Sequence, residues 1–216
     1  MTSSTPTKSV NKHIAEVIFS TNEMIIAQCY KEVLSDKTSK QSILQGSTVK
    51  VTSSYDSSYV AYGLITKINN TSLDNIHKPS ALGLTSNELE YLQPQVYDLL
   101  RKELEIYLFA HEEQKGNILN YPPLKPMMIH DFVSETTFDE VLKLTEDFSS
   151  LINLIRKHQF KSDILVNLII QGYLLRNNDN NYLIKAGQEL SKAFSDELES
   201  LIPVLKRLQE SKVRKK

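Results

Sequence analysis

Four groups of residues in this chain are of the right types to do chemistry, and each implies a different reaction or contact. A thiolate–imidazole nucleophile would need Cys29 beside one of the five histidines, His13, His77, His111, His130 and His158. A metal centre would need several of those histidines converging on one point. No two of them are spaced to share a face of a helix, so the pattern offers no metal site. Cys29 falls in Ile25-Ile26-Ala27-Gln28-Cys29, where alternation places it with Ile25 and Ala27 on a dry face. Burial there disfavours the thiolate, and Cys29 reads as a core residue. Glu103 and Glu105, followed by Glu112-Glu113, could divide acid and base roles if their surroundings separated their protonation states. Nothing around them indicates a substrate cleft, and they read as solvated strand charges.

The fourth group is basic. Lys206, Arg207, Lys212, Arg214, Lys215 and Lys216 gather at the C-terminus with Glu210 as their one opposing charge. Cations at a helix C-terminus are favoured by its dipole in any case. The sharper reading is a contact surface for an acidic protein, ribosomal RNA or DNA, which would weaken as salt rises. Tyr55, Tyr59 and Tyr62 could stack on bases, but no basic groove accompanies them and packing is the expected role. A phosphate-cradling loop needs a Gly-Lys dipeptide, and none occurs in the chain. No catalytic, cofactor or metal residue is assigned on this basis.

The chain has 216 residues with a formal net charge of -1, which hides an acidic body and a basic end. An acidic body disfavours broad wrapping of nucleic acid. A single cysteine excludes an internal disulfide and suits a reducing, intracellular compartment. The apolar run from Ile164 to Leu175 is interrupted by Asn167, Gln171 and Gly172 and falls short of the roughly 20 residues that cross a bilayer. No membrane span is expected. Residues 1–12, rich in Ser and Thr, read as a disordered arm.

The elements that would position these side chains change character midway. Short alternating stretches fill the first half: Ala15 to Phe19, with Ala15, Val17 and Phe19 on one face; Ala27 to Tyr30; Gly46 to Val51; and Tyr59 to Ile68, with Gly63 inside it. Thr21-Asn22-Glu23 is a tight connector, whereas Lys31 to Gln45 and Asn69 to Ser86 are long loops. Helix follows over Asn87 to Arg101, divided at Pro94. Alternation returns from Lys102, with Leu104, Ile106, Leu108 and Ala110 on one face and Glu103, Glu105, Tyr107, Phe109 and His111 on the other. Tyr107 and Phe109 would expose too much apolar surface to water, so the helical half of the chain is expected to cover them. A short strand is expected over Asn117 to Tyr121.

Pro122, Pro123 and Pro126 mark a boundary, after which the period becomes helical. Thr137-Phe138-Asp139-Glu140 fits a capping box. The buried stripe behind it would be Phe138, Val141, Leu142, Thr145, Phe148, Ile152 and Ile155. Further helices are expected over Ile164 to Leu175, about Asn181 to Phe194, and Ser195 to Lys212 with a bend at Pro203. The predicted fold is α+β, a small N-terminal antiparallel β-barrel followed by a C-terminal helical bundle. The predicted divisions are an arm at 1–12, a barrel at 13–122 with a helical insertion near 87–101, a linker at 123–128, helices at 129–212 and a basic tail at 213–216.

Ala15-Glu16-Val17-Ile18, Ala27-Gln28-Cys29-Tyr30, Gly46-Ser47-Thr48-Val49-Lys50-Val51, Tyr62-Gly63-Leu64-Ile65, and Asn87-Glu88-Leu89-Glu90 followed by Pro94-Gln95 together resemble the HAS barrel. This is the module shared by HerA-type helicases and the large subunits of rotary ATP synthases, and the resemblance covers roughly Lys12 to Tyr121. With Ala186-Gly187-Gln188-Glu189-Leu190 added, the chain is similar to stand-alone HAS-barrel proteins of cyanobacteria and plastids. The resemblance implies a collar that holds ATPase subunits together, with the chemistry in a nucleotide-binding domain that has no counterpart here. It carries over no catalytic residue. The expectation is a non-enzymatic docking or assembly protein, cytoplasmic or in the plastid stroma, that binds a protein partner or itself through its exposed loops. The alternative is a factor that associates with ribosomes or nucleic acid through its basic tail.

Overall fold

In the computed structural model, which describes residues 13–31, 43–73, 80–114, 116–160 and 163–195 together with 202, 206 and 207, the alternating stretches become strands of one sheet. These are β1 (Ala15–Ser20), β2 (Met24–Cys29), β3 (Thr48–Thr52), β4 (Val60–Ser72), β5 (Leu100–Gln114), β6 (Asn117–Leu119) and β7 (Phe132–Glu135). Every pairing is antiparallel, in the order β2-β1-β7-β3-β4-β5, and β5 returns to pair with β2. Six strands thus close a barrel, with β6 added outside on β5. Closure leaves the barrel no unpaired edge.

The closing strand is the surprise. β7 lies beyond the prolines, where the sequence pattern calls only for helix, yet it fills the gap between β1 and β3, with Ala15 opposite Val133 and Val51 also opposite Val133. Asp131, fully buried at its start, explains how the chain is brought back. One carboxylate oxygen accepts from Ser54 N at 2.7 Å and Ser54 Oγ at 3.0 Å, and the other accepts from Met128 N at 2.6 Å. A buried carboxylate costs free energy unless it is hydrogen-bonded, and this one is supplied by three donors.

The barrel interior is dry, packed with Val17, Ile25, Val51, Leu104, Ile106 and Val133, all fully buried. Cys29 points into it as expected. Gly63 stands where a side chain would collide with Ile106 Cγ2, so the strand passes close by using the smallest residue. Two bulges correct the expected faces. β1 shifts register between Val17 and Phe19, and the extra residue turns Phe19 outward, where it is 45% exposed. β5 holds Phe109 as the extra residue between Leu108 and Ala110, which moves Ala110 from the inner set to the outer one.

β4 and β5 also extend further than expected. Beyond Glu103, the last β5 residue opposite both β2 and β4, the pairs Asn70–Lys102, Thr71–Arg101 and Ser72–Leu100 continue as a two-stranded ribbon. The segment read as the start of a loop is therefore strand, and the helical insertion ends before Leu100. Both faces of such a ribbon are wet, so it carries no alternation to read. Its far end bears α1 (Ser86–Leu92), capped by a Thr85–Glu88 box, and α2 (Pro94–Tyr97), which starts at Pro94.

The outer wall of β4 and β5 is covered by α3 (Phe138–Leu144), α4 (Ser149–His158), α5 (Asp163–Leu175) and α6 (Asn180–Ala193). Tyr62, Leu64, Phe109 and Ala110 of the wall share one core with Leu144, Leu151, Ile155, Leu165 and Ala186 of the helices. The cover predicted for Phe109 is present, and only 1% of that residue is exposed. The capping box forms as expected, with Thr137 and Glu140 each bonding the other's backbone amide. The expected stripe needs correction. Val141, Thr145, Phe148, Ile152 and Ile155 are buried as expected, but the chain breaks between α3 and α4, Phe138 at the start of α3 is 62% exposed, and Leu144 is buried whereas Leu142 is only partly so. Arg176 closes the seam by donating to Thr145 Oγ1 and Leu142 O while lying 4.3 Å over the Tyr182 ring. Among the described residues, no helix is long and apolar enough to cross a membrane.

Candidate functional site

The densest group of ionisable side chains sits where α3 meets the barrel wall. Lys50 and Tyr62 are directly opposed on β3 and β4, and Glu112 lies two positions along β5 from Ala110, the partner of Tyr62. The α3 capping box brings Glu140 down onto them. The Tyr62 hydroxyl lies 3.2 Å from both Glu112 Oε2 and Glu140 Oε1, and Lys50 Nζ donates to Glu140 Oε1 at 2.9 Å. Glu140 Oε2 accepts from Thr137 N at 2.6 Å, and Glu112 accepts from Gly116 N. A cleft of about 550 Å³ opens beside them, lined also by Ser58, Asp139 and Lys143.

Electrostatics limits what this group can do. Burial pushes the Tyr62 phenol far above its ordinary range, and the neighbouring carboxylates push it further, so it is a donor and not a base. Burial also raises the Glu140 carboxyl, but the Thr137 amide and the Lys50 ammonium outweigh it and hold Glu140 below its ordinary value. Cation, carboxylate and phenol are thus engaged with one another. The arrangement acts as an ionic latch that fixes α3 to the wall.

The histidines are dispersed. His13 bonds Ser134 Oγ at 2.9 Å and stacks on Phe132, while His111 is buried with Nδ1 3.0 Å from Tyr121 O. His130 pairs with Glu16 at 3.2 Å; His158 packs on Tyr107, with Nε2 3.3 Å from Glu23 Oε2. His77 lies outside the described residues. Among those described, no three His, Cys, Asp or Glu side chains gather as a metal would require. Cys29 is buried in the barrel, and burial pushes its thiol up to about 11.

Of the basic cluster, Lys206 and Arg207 are described and exposed, whereas Lys212, Arg214, Lys215 and Lys216 lie outside the described residues. Arg207 lines a polar cleft of about 650 Å³ with Lys67, Glu105, Gln45 and Asn167. Glu105, one of the strand carboxylates, thus shares this cleft with two cationic residues. Of the tyrosines, Tyr62 is buried, Tyr59 donates to Lys125 O at 2.9 Å, and Tyr55 is 83% exposed.

The arm made by the β4–β5 ribbon is the largest feature that pattern reading underrated. Neither α1 nor α2 buries a residue, and Tyr91 is 85% exposed, Leu73 56% and Leu92 54%, with Leu82 and Leu99 exposed nearby. No family model matches this chain, and no curated protein matches it.

Proposed function

We propose that this chain is a non-enzymatic docking protein of the HAS-barrel type, which binds a protein partner or a second copy of itself through the apolar tip of the β4–β5 arm. The observation that carries the reading is that tip. Tyr91 and Leu92 of α1 are exposed apolar side chains on a helix that buries none of its own residues, and Leu73, Leu82 and Leu99, in the segments that flank α1 and α2 in the chain, are exposed as well. Large exposed apolar surfaces mark interaction sites, and tyrosine is among the residues that dominate binding energy. A dry, closed barrel is a rigid base for such an arm. In this reading α3 to α6 are a small C-terminal bundle that braces the barrel, and the ionic latch at Glu140 is structural.

Affinity capture with the wild-type chain and with a Tyr91→Ser/Leu92→Ser variant, alongside mass determination by light scattering, tests this. A partner or dimer held by the wild type and lost by the variant supports it. A strictly monomeric chain that retains nothing overturns it.

The alternative, association with ribosomes or nucleic acid, is favoured by one observation: Arg207 and Lys67 line the same polar cleft beside the exposed Lys206. It requires RNA or DNA binding that falls as salt rises and weakens when Lys206, Arg207, Lys212, Arg214, Lys215 and Lys216 become glutamine. Binding that ignores salt removes it.

A further inference from the structure

Glu135, the last residue of β7, stands opposite Val49 and shares the inward face of Val133, two positions before it. A carboxylate is thereby directed to the mouth of a dry barrel. Around it lies a cavity of about 190 Å³, walled by Ile14, Val49 and Ile65 from the barrel side and by Val141 and Leu174 from α3 and α5. Among the described residues, no lysine, arginine or histidine lines it. Lys50, next along β3, alternates to the outer face and is held there by Glu140. Thr48 and Thr136 bond each other at 2.7 Å, so their hydroxyls are already engaged. Burial alone lifts the Glu135 carboxyl above its ordinary range.

We propose that this cavity binds a small apolar ammonium ion, an aryl or short alkyl amine whose hydrocarbon fills the space and whose cationic head meets Glu135. Size supports the ring. An apolar cavity of about 150 Å³ holds benzene, so about 190 Å³ admits a ring with one or two further atoms. The lining supports the charge, because a carboxylate in apolar surroundings with no cation beside it among the described residues favours a cation and disfavours an anion. Gln171 is also on the lining, and its side-chain amide is of a type that can accept an ammonium proton. Access is provided at the rim, where Phe138 is 62% and Leu174 43% exposed. The site lies away from the arm tip and does not depend on the docking reading.

The test is a titration of the full chain, followed by amide NMR, with benzylamine, benzyl alcohol and benzoate as probes of nearly equal shape. Benzylamine is expected to shift the resonances of Val49, Glu135 and Val141 saturably, with benzyl alcohol weaker and benzoate weakest. Glu135→Gln is expected to reduce benzylamine affinity by roughly tenfold or more and leave benzyl alcohol unchanged. Benzoate binding as tightly as benzylamine overturns the proposal, as does a saturable shift with none of the three or an unaltered amine affinity in the variant. If Glu135→Gln does not fold, the ranking of the three probes on the wild-type chain decides alone.

Discussion

Lys50 and Glu140 stand 90 positions apart in the chain and 2.9 Å apart in space, one on the barrel wall and the other in the first turn of α3. Glu140 serves three partners at once: Lys50, the Thr137 amide and the Tyr62 hydroxyl. Replacing it by glutamine removes the charge while keeping the shape, and is expected to cost about 1–3 kcal/mol at neutral pH. Because the folded carboxyl titrates below its ordinary value, its contribution is present above the unfolded pKa and lost as pH falls through the lowered folded one. Urea unfolding at a series of pH values should show wild type and Glu140→Gln well separated at neutrality and converging in acid.

Cys29 is predicted to resist alkylation in the folded chain. With the thiol pushed up to about 11 and the side chain 4% exposed, thiolate is scarce and hard to reach at pH 8. Iodoacetamide should modify it slowly until urea unfolds the barrel, after which the rate should rise to that of a free thiol. Rapid labelling under native conditions would contradict the inward placement.

Phe109 tests the shared core. It belongs to the barrel by sequence and to the helices by packing, so Phe109→Ala is expected to cost about 3–5 kcal/mol. Signals from the barrel and from the helices should shift together in thermal unfolding, as one transition. Two separate transitions would show that wall and helices are independent.

Cutting the chain after Pro122 should not yield a folded barrel. Such a fragment keeps β1 and β3 but lacks β7, which pairs with both. It would expose two unpaired strand edges and open the dry interior. Poor NMR dispersion and aggregation are expected from residues 13–122, and a dispersed spectrum from a fragment that continues through 195.

The arm tip should be energetically silent within the fold. Tyr91→Ser with Leu92→Ser removes side chains that are 85% and 54% exposed, so stability is expected to change by no more than about 0.5 kcal/mol. A large loss in chemical denaturation would mean that the tip packs against the body.

Much of this architecture was readable before folding, for particular reasons. Ile25, Ala27 and Cys29, and likewise Val49 and Val51, alternate because one side of each strand faces a dry core. Tyr107 and Phe109 announced a covering layer because aromatic area on a wet face needs one. The Thr137–Glu140 box and Pro94 placed helix starts through local backbone chemistry. Bulges at Ile18 and Phe109 insert one residue without altering composition, so Phe19 and Ala110 fall on the opposite side from the one that strict alternation predicts. Phe132-Val133-Ser134-Glu135 is too short to display a period, and its register is imposed by β1 and β3. The Tyr62 group and the Glu135 cavity draw on segments distant in the chain, and no local spacing reports such meetings.

The late arrival of β7 has a consequence during synthesis. His13 bonds Ser134 across 121 positions, and the barrel needs both ends of that span before its ring is complete. While the ribosome is still producing the segment up to Glu135, the earlier strands form at most an open sheet with two exposed borders. Contacts this distant in sequence form slowly, because a long loop must be ordered before they are gained. A nascent chain of this protein is thus most vulnerable to pairing with its neighbours on a polysome, and that hazard ends when four residues beyond the prolines emerge and dock.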